Sequence, residues 1–69
     1  MKYAVTAVTD GNYNIHSEHE TPTAAIIEYF GYVRALWADP NTTNATVMIA
    51  DENLDCVGHY KEKIHRVAE

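Results

Sequence analysis

The sequence is poor in cysteine, with one in 69 residues. A single cysteine, Cys56, cannot form an internal disulfide or a zinc site built from paired cysteines, so the two usual supports of small secreted domains are excluded. The first ten residues, 1–10, also lack the apolar region and cleavage site of a signal peptide. These two absences predict a cytoplasmic protein.

Basic residues are also scarce. Five lysines and arginines face ten acidic residues, which gives a formal net charge of −5 at neutral pH. Because nucleic-acid binding needs a basic surface, this balance argues against a nucleic-acid partner. No apolar run approaches the about 18 residues that a membrane span needs, so we do not expect a membrane partner either.

The length allows one small domain, residues 1–69. A chain of this size buries only roughly 60% of the surface that it exposes when unfolded. Apolar residues nevertheless make up 46% of the sequence. The combination of a thin core and a high apolar content predicts self-association.

The first half of the chain reads as a hairpin followed by a helix. Residues 3–9 and 13–18 alternate between polar and apolar side chains on either side of the turn signal Asp10-Gly11. Thr21-Pro22 supplies a capping hydroxyl and a proline at the first helical position. The helix is predicted to end at about Ala38, because the residue before Pro40 is disfavoured in a helix.

The second half reads as another hairpin. The apolar run 45–50 predicts a buried strand, and 51–53 predicts a turn into a strand over 54–60. Residues 61–69 fit either a longer strand or a helical turn. The predicted class is α+β with the order β-β-α-β-β: a four-stranded antiparallel sheet, in strand order 2-1-3-4, with one helix packed on one face.

The residue pattern also predicts which side chains face the core. On the helix, a stripe of Ile26, Phe30, Val33 and Trp37, with Tyr29 and Leu36 beside it, is expected to face the sheet. On the strands, alternation predicts a core-facing set of Tyr3, Val5, Ala7, Ile15, Val47, Ile49, Leu54 and Cys56. The opposite sheet face is expected to show Thr6, Val8, His16, Met48, Val57 and His59.

The apolar side chains left outside this single interface indicate the function. We interpret the protein as a non-enzymatic interaction module that forms a homodimer, through the outer sheet face or the edge strands, and binds another protein. The expected interaction residues are Val8, Met48, Val57, Tyr29 and Tyr32. The far side of the helix is small, and Gly31 there would allow close approach by another chain or is simply an exposed glycine.

The histidine, cysteine and basic side chains suggest alternative functions. A small-ligand or metal-binding protein would use His16, His59, His65 and the nearby carboxylates. A metal site within one subunit is disfavoured because His16 and His59 fall on opposite edge strands, whereas the edges of two subunits could together form one. Cys56 and His59 lie three residues apart on a strand and so face opposite ways. We therefore expect no catalytic residues, no metal and no cofactor. A third hypothesis is that the protein is a small enzyme, or a regulator that binds an anion, and that it uses Lys61, Lys63 and Arg66.

The stretches 2–11, 35–37 and 45–62 together resemble small uncharacterised proteins of gut Firmicutes and their mobile elements. The similarity rests on Lys2-Tyr3-Ala4-Val5-Thr6-Ala7-Val8-Thr9-Asp10-Gly11, on Ala35-Leu36-Trp37 and on the segment from Ala45 to Glu62. It covers most of the chain. The resemblance implies that the protein is bacterial, but it implies no activity and no site residues.

Overall fold

The computed structural model describes residues 2–65 and confirms the predicted architecture. Its elements are β1 (Tyr3–Thr9), β2 (Asn12–His19), α1 (Pro22–Ala38), β3 (Asn44–Asp51) and β4 (Cys56–His65). The strands pair antiparallel in the order β2-β1-β3-β4, which leaves β2 and β4 at the edges. Residues 61–65 prolong β4, and the rest of the ambiguous segment 61–69 lies outside the described residues.

The first hairpin and the helix begin as the sequence predicts. Asp10 and Gly11 both have positive φ values, 50° and 86°, the conformation that a two-residue turn between twisted strands requires. At the helix start, the Thr21 hydroxyl oxygen accepts a hydrogen bond from the Ala24 backbone N–H at 3.3 Å. This contact satisfies one of the N–H groups that a helix terminus leaves without a partner.

The helix covers one face of the sheet, here called the inner face, but it is rotated by roughly a quarter turn from the predicted orientation. Its buried residues are Ala25, Tyr29 and Leu36, whereas Phe30 and Trp37 of the predicted stripe are exposed. The prediction for those two residues is therefore wrong. Small Ala25 against the strands lets the helix backbone come close, which two large aromatic side chains in its place would prevent.

The core lies between the helix and the inner face, and its strand residues come mainly from β1 and β3. The cluster of buried residues comprises Val5, Ala7, Ala25, Tyr29, Leu36, Ala45, Val47, Ile49 and Ile64. The helix is too short and not apolar enough to cross a membrane, and no other helix occurs among residues 2–65.

A β-bulge in β2 overturns two of the predicted orientations. Val5 pairs with Ser17 and Thr6 pairs with Ile15, so His16 is an extra residue between them. The bulge turns His16 towards the helix and leaves Ile15 on the opposite face of the sheet, here called the outer face. Regular alternation predicts the opposite arrangement, with Ile15 facing the core and His16 on the outer face.

An irregularity in β4 overturns two more predictions, and the later start of the strand overturns a third. Met48 pairs with Lys61 and Ala50 with Cys56, so residues 57–60 lie opposite Ile49 alone. The displaced chain packs Val57 against the core instead of placing it on the outer face. Leu54 and Cys56 were predicted to be buried, but both are exposed, Leu54 because it lies in the turn before the strand.

Candidate interaction surfaces

The outer face of the sheet has no element packed on it among the described residues. Two rows of paired residues cross it from β2 to β4: Tyr13, Val8, Thr46 and Lys63, and then Ile15, Thr6, Met48 and Lys61. The β2 side of each row carries an exposed apolar or aromatic residue, and the β4 side carries an exposed lysine. The outer face is therefore half apolar and half basic, with threonines between.

The side of the helix that points away from the sheet is apolar too. Ile27, Phe30 and Trp37 are 68%, 58% and 44% exposed. The other exposed residues from Ala24 to Ala38 are small, apart from the charged Arg34, and the side chain of Glu28 at the edge of this side is half exposed. We call this side, from Ala24 to Ala38, the outward helix face. An exposed helix face normally carries several charges, so a helix that is apolar on both sides is unusual unless both sides are covered.

An aromatic cluster joins the outward helix face to β4. Tyr29, Phe30 and Tyr60 contact one another edge to face, with ring centroids 5.2 to 6.2 Å apart. They line an open groove of about 500 Å³ together with Gly58, His59, Lys61 and Glu62. Burial raises the pKa of the Tyr29 hydroxyl above its usual value, and the nearby Glu62 and Cys56 add to this effect through their negative charge.

Comparison with known proteins gives no relative. No protein-family model matches the chain, and neither the curated proteins nor the solved structures give a significant match.

The five predicted interaction residues do not share one surface. Val8 is exposed and Met48 half-buried on the outer face, as expected. Val57 packs against the core, and Tyr29 is only 5% exposed, so neither contributes much exposed area. Tyr32 is half-buried at the helix edge next to β2.

The histidines are distributed over separate places. The His16 ring stacks on Tyr32, with centroids 3.8 Å apart and planes 5° from parallel, and its Nε2 lies 2.8 Å from Glu28 Oε1. His19 Nε2 lies 2.8 Å from the Ser17 hydroxyl. Within residues 2–65, no three histidine, cysteine or carboxylate side chains come together as a group that could hold a metal ion. The His16 contacts instead fasten strand β2 to the helix.

The remaining reactive side chains are on the surface. The Cys56 sulfur lies 3.7 Å from the Tyr60 backbone carbonyl oxygen, which accepts a weak hydrogen bond from the thiol. Lys61 and Lys63 are both exposed on the outer side of β4. Arg66, the third residue of the suggested anion site, lies outside the described residues.

Sequence reasoning missed the residues that dominate the exposed apolar surface. Ile27, Phe30 and Trp37 are on the outward helix face, and Tyr13 and Ile15 are on the outer sheet face. The signal for the first three was the width of the apolar sector on the helix. The exposure of Ile15 could not be predicted, because a β-bulge does not change the alternation of residue types in the sequence.

Proposed function

We propose that this protein is a non-enzymatic interaction module that forms a homodimer. The observation that carries the proposal is the presence of exposed large apolar side chains on opposite sides of a two-layer fold, on the outward helix face and on the outer sheet face. Each exposes at least three large apolar or aromatic side chains. Large exposed apolar patches are rare on monomeric soluble proteins, and where they occur they commonly mark interaction sites.

The proposed partner in the homodimer is a second copy of the chain, bound through an apolar surface. Small domains gain little stability from their own core, and covering apolar surface with another subunit supplies more. A helix that is apolar all round is stable when both of its sides are covered.

One of the two apolar surfaces stays free after pairing, and we propose that it receives another protein. The unpaired edge of β4 adds a place where an extended peptide could extend the sheet by backbone hydrogen bonds. We place the module in the cytoplasm, where an exposed thiol such as that of Cys56 stays reduced.

The mass of the protein in solution tests the proposal. Sedimentation equilibrium over a wide range of protein concentration is expected to show a species of twice the 7.8 kDa chain mass that gives way to the monomer on dilution. A mass of 7.8 kDa at every concentration would contradict the homodimer.

A further inference from the structure

We propose that two copies pair through the outward helix face, with the two α1 helices antiparallel and the two-fold axis level with Gly31. This inference rests on the proposed homodimer and names the surface that forms it.

The shape of the outward helix face is self-complementary. Ile27 is its most exposed large side chain, and one turn further along Gly31, Arg34, Ala35 and Ala38 form a four-residue hollow at the spacing i, i+3, i+4, i+7. Packed helices insert a side chain of one helix into such a hollow of the other. When the helices are antiparallel about Gly31, Ile27 lies level with Ala35 of the partner subunit, at the centre of the hollow. Two-fold symmetry then makes the same contact twice.

Space is available for this approach. A Cβ atom placed on Gly31 would meet nothing within 4 Å, so no side chain of the described residues lies against this position. Because glycine has no side chain, the partner helix can come closer at this level than it could elsewhere along the face.

The charges favour the antiparallel arrangement. Glu28 and Arg34 lie three residues before and three residues after Gly31. Antiparallel pairing brings each Arg34 level with Glu28 of the partner subunit, whereas parallel pairing brings the two arginines together. Glu28 uses Oε1 to contact His16, and its side chain is still 45% exposed. It therefore remains accessible to an incoming guanidinium group.

The other surfaces suit a second copy less well. Antiparallel pairing of two β4 edges about Glu62 would place Lys61 opposite Lys63 of the partner subunit, which sets like charges against each other. The outer sheet face carries the half-buried Thr46 and the exposed Lys61 and Lys63, and stacking two such faces would bury these polar groups. The outward helix face carries Arg34, and antiparallel pairing brings Glu28 of the partner subunit level with it.

The exposed area indicates a modest affinity. Ile27, Phe30 and Trp37 together expose roughly 300–400 Å². Specific interfaces of standard size bury about 800 Å² per partner, so this contact, even with the small residues added, is at the lower end. We expect dissociation at micromolar concentration.

Two matched substitutions test the surface. Ile27→Lys and Ile15→Lys make the same change at two exposed isoleucines, one on the outward helix face and one on the outer sheet face. Sedimentation equilibrium is expected to show that Ile27→Lys weakens dimerisation at least tenfold while Ile15→Lys leaves it unchanged. Gly31→Leu adds a side chain at the edge of the hollow, where the Cβ meets nothing within 4 Å, and should also weaken dimerisation with the helical circular-dichroism signal retained.

The outcomes separate the two proposals. A wild-type protein that stays monomeric contradicts the homodimer itself. A wild-type dimer that survives Ile27→Lys, or that is dissociated by Ile15→Lys, overturns only the assignment to the helix.

Cysteine crosslinking tests the orientation. In a Cys56→Ser background, Ala24→Cys and Ala38→Cys are made in separate proteins and mixed under mild oxidation. The antiparallel arrangement predicts disulfides between the two different variants and none within either one. Disulfides formed by Ala24→Cys alone would show parallel helices and overturn the arrangement.

Discussion

At the residue scale, Leu54 is in a conformation that leucine tolerates poorly. Its φ is 67° and its side chain is 73% exposed, so it bears the strain of the left-handed region without gaining burial. Glycine adopts this conformation without steric cost. Leu54→Gly should therefore raise the free energy of unfolding by about 0.5–1 kcal/mol, measured by urea denaturation. Leu54→Ala keeps the strain, and an equal gain in that control would refute the explanation.

Tyr29 is the residue whose ionisation is coupled to folding. Its pKa is raised in the folded protein, first by burial and then by Glu62 and Cys56, above the ordinary value of 10.0. As the pH rises past 10, the unfolded chain loses this proton first, so the contribution of Tyr29 to stability is lost as the pH rises through the folded pKa.

The variant Tyr29→Phe has no proton to lose at this position. Its free energy of unfolding should therefore fall less than that of the wild type between about pH 8 and pH 11. Urea denaturation of both proteins at the two pH values measures the difference. Equal losses of stability would show that Tyr29 is not coupled in this way.

At the scale of the elements, what the sequence could predict depended on how local the determining contacts are. The Asp10-Gly11 turn, the Thr21 cap and the end of the helix before Pro40 are set by neighbouring residues, and all three were predicted. The rotation of the helix depends on how closely it approaches strands far away in the chain. The bulge at His16 depends on pairing with β1 and on contacts with the helix, and so the alternation of β2 could not show it.

The regularity of each strand or helix also decides which of the five candidate residues lie on the face that the sequence predicts. Val8 and Met48 lie on regular stretches of β1 and β3, where alternation predicts the face correctly. Val57 lies where four residues oppose one, and Tyr29 lies on a helix face displaced from the expected one. Ile27, Phe30 and Trp37 could be recognised as exposed only once the helix orientation was known.

The helix cap provides a test at this scale. The Thr21 hydroxyl oxygen accepts from the Ala24 N–H, so Thr21→Ala leaves that group without a protein partner. We expect a loss of about 1 kcal/mol in the free energy of unfolding, measured by urea denaturation. Thr23→Ala removes an exposed hydroxyl in the first helical turn and should cost much less. Equal losses in the two variants would argue against the capping role.

At the scale of the whole molecule, the fold has three apolar faces, and its single helix covers only one of them. The helix covers the inner face, and the outward helix face and the outer sheet face remain. If two helices pair, the assembly has four layers, sheet, helix, helix, sheet, with both outer sheet faces free. Such an assembly would offer two identical surfaces of mixed apolar and basic character, one on each side, for another protein.

The assembly links stability to protein concentration. A partner that binds only the folded state stabilises it by mass action, so the thermal midpoint of a homodimer rises with concentration, whereas that of a monomer does not. We expect the wild-type midpoint to rise by several degrees over a hundredfold increase in concentration, because the added stabilisation is on the order of 1–3 kcal/mol and each kcal/mol shifts a domain of this size by about 4–8 °C. The midpoint of Ile27→Lys should stay constant over the same range, and that of Ile15→Lys should rise as in the wild type. Calorimetry of the three proteins provides the measurement, and a wild-type midpoint that ignores concentration would contradict an assembly that contributes to stability.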